Sequence, residues 1–286
     1  MRHPGVFGLC LLGAVVLAGC GQQQQRAAIE KEVNNISETD KASLDAIELT
    51  VADPNEAVAY FSKAVQKFPE RTDQKRYLAM SLMRASRPAE AAKMWQEVTS
   101  AADSKPADSV NYADALIQSG NWKLAETVLN GVNPTYETFD RYRLEAMIAD
   151  SKKEWKKADS FYETAVGLTT TPAGIYNNWG FSKLTRRDYA GAEQLFDQAL
   201  TYDPNLFIAK NNLILARAGQ HKYDMPVIQM TQREKAQLLY TLALAAVKQG
   251  DIEIGKSLLH EAIDTNPEYF EAAQRSLSAL EATGTH

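Results

Sequence analysis

Small and large apolar residues recur along this chain in one three-point pattern at a nearly constant interval. A small residue is followed four positions on by an aromatic or aliphatic one, and three further on by a small residue or valine. The triples are Ala57-Phe61-Ala64, Ala91-Trp95-Val98, Ala125-Leu129-Val132, Ala158-Tyr162-Ala165 and Ala192-Phe196-Ala199, spaced 34, 34, 33 and 34 residues apart. A sixth, Gly255-Leu259-Ala262, follows a longer gap. Positions i, i+4 and i+7 share one helical face, so each triple predicts the buried seam of a helix. The small members admit a neighbouring backbone and the large one fills the space between. Pro69, Pro204 and Pro267 stand five residues past the last member of their triples and predict helix ends there. Further proline breaks fall at Pro106, Pro134 and Pro172.

Ahead of each seam the pattern predicts another helix and a tight turn. The clearest copy runs Tyr176-Asn177-Asn178-Trp179-Gly180 into the turn Arg187-Asp188-Tyr189, and comparable turns are Ser119-Gly120-Asn121-Trp122 and Gln249-Gly250-Asp251-Ile252. Gly120 and Gly250 sit where a helix C-terminus needs a residue able to take positive φ. Leu238 to Val247 is apolar nearly all round, which predicts a helix covered on both sides. One hairpin cannot bury both apolar faces, so neighbours must stack, and stability sums over repeats and interfaces.

This period and element order resemble the tetratricopeptide-repeat family from about Ser37 to the C-terminus. The resemblance implies an all-α fold, a right-handed superhelical solenoid of about six to seven helical hairpins, one of them incomplete. The first helix of each hairpin would line the concave face. Repeats are expected near 38–69, 72–105, 106–138, 139–172, 173–206, 207–232 (incomplete) and 236–269, with a capping helix at 268–282, so that 37–286 forms the solenoid. In the incomplete repeat, Pro226 stands where the seam alanine belongs, and proline costs an uninterrupted helix about 3 kcal/mol. An incomplete second helix is therefore expected between 224 and 232. That irregularity reads either as a stacking imperfection or as a partner-recognising loop.

The N-terminus carries different information. Arg2 precedes an apolar run from Val6 to Val16, about a dozen residues, too short to span a bilayer and the right size for a signal-peptide core. Leu17-Ala18-Gly19-Cys20 then resembles the lipobox of bacterial lipoproteins. The resemblance implies a signal peptide at 1–19, acylation of Cys20, and a lipidated polar tether at 20–36. Each buried methylene contributes about 0.8 kcal/mol, so several acyl chains on one cysteine anchor stably. Residue 21 is Gly rather than Asp, which by the same resemblance implies sorting to the outer membrane, facing the periplasm. Residues 27–36 either cap the first repeat or stay mobile.

Composition narrows the chemistry. Removing 1–19 takes one basic residue from the 31 Lys+Arg and none of the 36 Asp+Glu, leaving a net charge of about −6. Mixed signs with an acidic balance predict no nucleic-acid partner. Cys10 leaves with the signal and Cys20 takes the lipid, so no thiol remains for a disulfide or metal. His260-Glu261 lacks the second histidine of a zinc helix, since position 264 is Asp. Without a phosphate cradle, nucleophile elbow or acid–base pair, the sequence predicts no enzyme, catalytic residue, metal, cofactor or small-molecule substrate.

The inner groove is the candidate site. In the family's phase, inward positions are Arg76, Met80, Met83, Arg84, Asp114, Ile117, Arg143, Met147, Asp150, Asn177, Phe181, Leu184, Asn211, Leu215, Tyr240 and Leu244. The partner-binding set is Arg76, Met80, Arg84, Arg143, Met147, Asn177, Phe181, Asn211, Leu215 and Tyr240. Met adapts to irregular shapes, aromatic rings supply area, and Arg and Asn bond carboxylates or backbone. Asn177 and Asn211 stand one repeat apart and are suited either to one peptide backbone or to repeat packing. Tyr176 to Ser182, Tyr189-Ala-Gly-Ala-Glu193, Asn211-Asn-Leu213, Gln237 to Ala246, Gly250-Asp251 and Asn266 to Phe270 resemble the TadD-type lipoproteins of the Tad (Flp pilus) apparatus. This implies an outer-membrane adaptor or pilotin whose partner is the secretin or another pilus-assembly protein. Alternatives are a type IV pilus pilotin, or an NlpI-like scaffold docking peptidoglycan hydrolases and a protease.

Overall fold

The computed structural model of the chain describes residues 45–283. The signal peptide, Cys20 and the tether lie outside the described residues. These residues are helical with no strand, and form two compact units divided between Met94 and Trp95.

The first unit holds a helical segment at 45–50, α1 (Pro54–Lys67), α2 (Thr72–Arg84) and the start of α3 (Pro88–Thr99). Asp53 starts α1 because its carboxylate accepts from the Asn55 N–H at 2.8 Å while Pro54 supplies a preset φ. The seam residue Phe61 is fully buried, with the Tyr60 and Tyr77 rings at 5.0 and 5.4 Å. The buried Asp45 accepts from Gln74 Nε2 at 2.9 Å and Tyr60 OH at 3.1 Å, which satisfies its carboxylate inside the unit.

The second unit stacks helical hairpins in chain order: α4 (Pro106–Gln118) with α5 (Trp122–Asn130), α6 (Phe139–Ser151) with α7 (Trp155–Gly167), and α8 (Ala173–Thr185) with α9 (Tyr189–Tyr202). Then come α10 (Phe207–Ala218), the pair α11 (Gln232–Gln249) and α12 (Ile252–Thr265), and α13 (Glu271–Thr283). The seam triples of α7 and α9 are fully buried, as are Leu259 and Ala262 of α12. Shared clusters bind each hairpin to the next: Ala146, Ala149, Ala158, Tyr162 and Ala165 with Ile175, then Ala192, Phe196 and Ala199 with Ala209 and Leu213. Gly180 is required here, since a Cβ on it would come within 2.7 Å of the Phe196 ring.

One device closes six first helices, α2, α4, α6, α8, α10 and α11. Ser86, Gly120, Lys153, Arg187, His221 and Gly250 all take positive φ, between 56° and 93°. Beside each, the next N–H reaches back to the last helical turn, as Asn121 does to Leu116 O at 2.8 Å and Glu154 to Ala149 O at 2.9 Å. Only two of these positions are glycine. The intervals are 34, 33, 34 and 34 residues, then 29 between His221 and Gly250.

That short interval marks the irregular repeat. Residues 219–231 contain no helix, so the incomplete second helix expected between 224 and 232 is replaced by an extended loop. Pro226 removes a donor, and the loop instead packs side chains outward from its own path. Tyr223, Met225 and Met230 join the cluster of α10 to α13, and Ile228 joins that of α9 and α10. The loop thus fills part of the space a helix would occupy. Arg217 ties its start, donating to Asp224 Oδ2 and Glu193 Oε1, both at 2.7 Å. Val227 projects fully into solvent.

Candidate functional site

Within the second unit, the first helices are joined by a ladder of side-chain bonds. Arg143 on α6 donates to Asp114 on α4 at 3.1 Å and to Asp140 at 3.3 Å. Asn178 on α8 approaches the Met147 sulfur at 3.9 Å, Asn212 on α10 donates to Asn177 Oδ1 at 3.0 Å, and Thr241 on α11 donates to Asn211 Oδ1 at 3.0 Å. The helix spacing makes these reaches possible, because equivalent positions of adjacent hairpins face each other once per repeat. Each bond removes one acceptor from the surface. Among the described residues, the side-chain amide nitrogens of Asn177 and Asn211 make no hydrogen bond.

Next to this ladder lies a cavity of about 290 Å³ lined by Trp122, Met147, Asp150, Ser151, Trp155, Tyr162, Asn178, Phe181, Ser182 and Thr185. Trp122 and Trp155 are the first residues of α5 and α7, delivered there by the positive-φ turns at Gly120 and Lys153. Phe181 comes from the middle of α8 and is 51 % exposed, forming an open wall. Asp150, near the end of α6, is the pocket's acid. Its Oδ1 accepts from Ser182 Oγ at 2.7 Å and its Oδ2 from Tyr162 OH at 3.0 Å.

Electrostatics differ sharply between two neighbouring acids. Burial raises the Asp150 carboxyl above its ordinary value, outweighing the Ser182 and Tyr162 hydrogen bonds and the nearby Arg186 charge that favour the anion. Asp159 is also desolvated, but bonds from Arg186 and Trp179 with the charges of Arg186 and Lys183 win and hold it below the usual range. Burial, with Asp150 beside it, keeps Tyr162 a neutral phenol.

The structure distributes the sequence-predicted set unevenly. Arg76, Met80, Met83 and Arg84 lie on α2 of the first unit; Met80 is exposed, and Arg84 donates to the carbonyls of Leu49 and of Ala52, the latter at 2.9 Å. In the second unit, Met147, Asp150 and Phe181 line the cavity. Arg143, Asn177 and Asn211 belong to the ladder, so their oxygen or guanidinium groups serve repeat packing. Leu184 and Leu215 are half-buried, and Leu244 is exposed. Tyr240 packs at 5.3 Å from the Phe270 ring with its hydroxyl 3.4 Å from Ser276 Oγ. Ile117 is buried rather than inward-facing at the surface, because its helix position turns it into the core. Sequence reasoning missed Trp122, Ser151, Trp155, Asn178, Ser182 and Thr185. The 33-residue recurrence of Trp at the start of a second helix was the available signal.

Among the described residues, no cluster of three or more His, Cys, Asp and Glu is placed to hold a metal, and no helix is long and apolar enough to cross a membrane. No protein-family profile matches the chain, and no curated protein matches it in sequence. Solved structures do. The APC/C hetero-tetramer Cut9-Hcn1 is similar over 84 % of this chain at 15 % identity with a TM-score of 0.58. The chain spans about half the length of that relative, matching 48 % of it. The human IFIT1 dimer with PPP-AAAA is similar over 81 % of this chain and 60 % of its own at 14 % identity and a TM-score of 0.57. A tetratricopeptide repeat protein from Parabacteroides merdae is similar over 91 % of this chain and 99 % of its own at 13 % identity and a TM-score of 0.52. The regular helical hairpins and these likenesses together identify the fold as that of a tetratricopeptide-repeat protein.

Proposed function

We propose that this chain is a lipid-anchored docking protein of the outer membrane, and that it serves a Tad/Flp-type pilus as a pilotin by binding the secretin. The observation that carries the docking part is the aromatic pocket beside the ladder of first helices, where apolar area and unspent amide donors lie together. An extended segment laid across α6, α8 and α10 would bury Phe181 and Met147 and bond to the Asn177 and Asn211 amides. Binding needs no bond-making, so this reading assigns the chain no catalysis. Acyl chains on Cys20 would confine the adaptor to the membrane where a secretin assembles, raising its local concentration without further contacts.

The test places a photo-crosslinking amino acid at Phe181 in cells and identifies the captured protein from membranes. A secretin adduct is expected, together with secretin monomers accumulating in a deletion strain. Normal secretin multimers in that strain would refute the assembly role. A Cys20→Ala protein should leave the outer-membrane fraction; retention there would refute lipid anchoring.

A further inference from the structure

The docking reading leaves open what enters the pocket, and the inference here rests on that reading. We infer that the pocket takes the cationic side chain of a lysine or arginine on the docked segment, with Asp150 as counter-ion and Trp122, Trp155 and Phe181 as walls.

Two occupants suit an aromatic cavity of about 290 Å³, an apolar side chain or a cation over the ring faces. Asp150 decides between them. Ser182 Oγ and Tyr162 OH each spend their only proton on it, one on each oxygen. A carboxylate offers about four acceptor sites, so two bonds leave capacity that faces the cavity. Among the described residues, no Lys, Arg or His forms an ion pair with Asp150. The nearby cations are committed elsewhere. Arg143 pairs with Asp114 and Asp140, and Arg186 and Lys183 pair with Asp159. An apolar occupant would strip the remaining water from an unpaired carboxylate, which is costly. A guanidinium or ammonium would instead pair with it while its alkyl stem lies against the rings.

The arrangement also shows how the pocket rim is kept in place. Arg186 lies over the Trp155 ring at 5.6 Å and bonds Asp159, which fixes that indole at the pocket rim. Asn178 and Thr185 extend the rim with polar groups able to meet the outer donors of a guanidinium.

The full-length protein in detergent, labelled at its four tryptophan indoles, provides the assay. Trp122 and Trp155 report the pocket, while Trp95 does not line it and serves as the reference. Titration with n-butylguanidinium should shift the two pocket indole signals saturably, and the neutral isostere n-butylurea should bind at least about fivefold more weakly. Asp150→Asn removes the charge, at the loss of one acceptor for Ser182 or Tyr162, and should bring the two probes to the same affinity. Phe181→Ala removes an exposed wall without disturbing the core and should weaken butylguanidinium several-fold. Equal binding of both probes to the unaltered protein, no shift with either, or an unaltered preference in Asp150→Asn would overturn the assignment. A crosslinked protein partner at Phe181 with no guanidinium preference leaves docking standing and removes only the cation. A guanidinium preference with no captured protein does the reverse.

Discussion

Lys210 offers a demanding test of the energetics in the irregular repeat. It sits on α10, 34 residues after Tyr176, which stacks on Tyr202 of its own second helix at 5.8 Å. The irregular repeat has no second helix, and the Lys210 side chain, only 2 % exposed, reaches forward to Glu234 Oε1 at 3.1 Å. Glu234 is 26 % exposed and also caps α11, its Oε2 accepting from the Thr231 N–H at 2.8 Å. The two partners therefore stand on unequal footing. Glu234→Gln leaves a buried ammonium facing a single amide oxygen that cannot serve both Lys210 and Thr231, and should cost about 3–5 kcal/mol. Lys210→Met replaces the buried charge by an apolar chain of similar length and leaves a partly hydrated carboxylate still bonded to Thr231; the loss should not exceed about 1.5 kcal/mol. The double variant should lie within about 1 kcal/mol of the parent, since a buried pair can be exchanged for apolar groups at little cost. Urea unfolding of the four proteins, with hydrogen exchange of the α11 amides as the local readout, measures the cycle. The Thr231 backbone bond, aided by Lys210 against the opposing effect of burial, holds the Glu234 carboxyl below its usual value. Its contribution is thus present above the unfolded value of about 4.3 and lost as pH falls through the folded one. The gap between the parent and Glu234→Gln should narrow in that acid range. Equal losses in the two single variants, or a double variant as weak as Glu234→Gln, would refute the asymmetry.

Other consequences are equally direct. Gly250→Ala meets no atom within 4 Å but must hold φ near 93°, so it should cost about 1–2 kcal/mol in urea unfolding through backbone strain alone. Gly180→Ala drives a methyl into the Phe196 ring and should cost about 1–3 kcal/mol, partly recovered when Phe196 is shortened to Leu. For Asp150, burial raises the folded value, so the unfolded chain ionises first and stability falls as pH rises through this range. The parent should therefore lose stability as pH rises from about 4 toward neutrality, and Asp150→Asn, which gives up one acceptor for Ser182 or Tyr162, should lack that slope in urea unfolding across the same pH series. A slope as steep in Asp150→Asn as in the parent would show that another group is responsible.

Several parts of this molecule were legible as a string of residues. The seam of α9 was, because Ala192, Phe196 and Ala199 must share a helical face whatever surrounds them. The turns at Gly120 and Gly250 were legible because glycine is the common answer to positive φ. The turn at Arg187 was legible too, but not its left-handed φ, and those at Ser86 and Lys153 were not, since nothing about these residue types marks a left-handed position; only the repeat register does. Pro226 announced the break, yet a proline says only that a helix stops. The loop's actual path depends on Met225 and Met230 finding one cluster and Ile228 another.

The candidate site divides in the same way. Phase along the helix placed Met147, Asp150 and Phe181 on the inward face, and that placement needs only the repeat. Whether an inward residue remains available is a different question, answered by neighbours some 30 residues away. Asn177 and Asn211 give up their oxygens to Asn212 and Thr241, and Arg143 gives its guanidinium to Asp114. Trp122 and Trp155 enter the pocket from second helices, which the inward phase of first helices does not describe. Periodicity by itself determined the hairpins, their seams and their order, because these follow from local geometry repeated at constant spacing. Tertiary packing alone decided which polar groups are spent between hairpins, where a carboxylate is left without an ion-pair partner, and how Lys210 is satisfied. Those outcomes depend on side chains meeting across interfaces, at distances and angles that no single repeat contains.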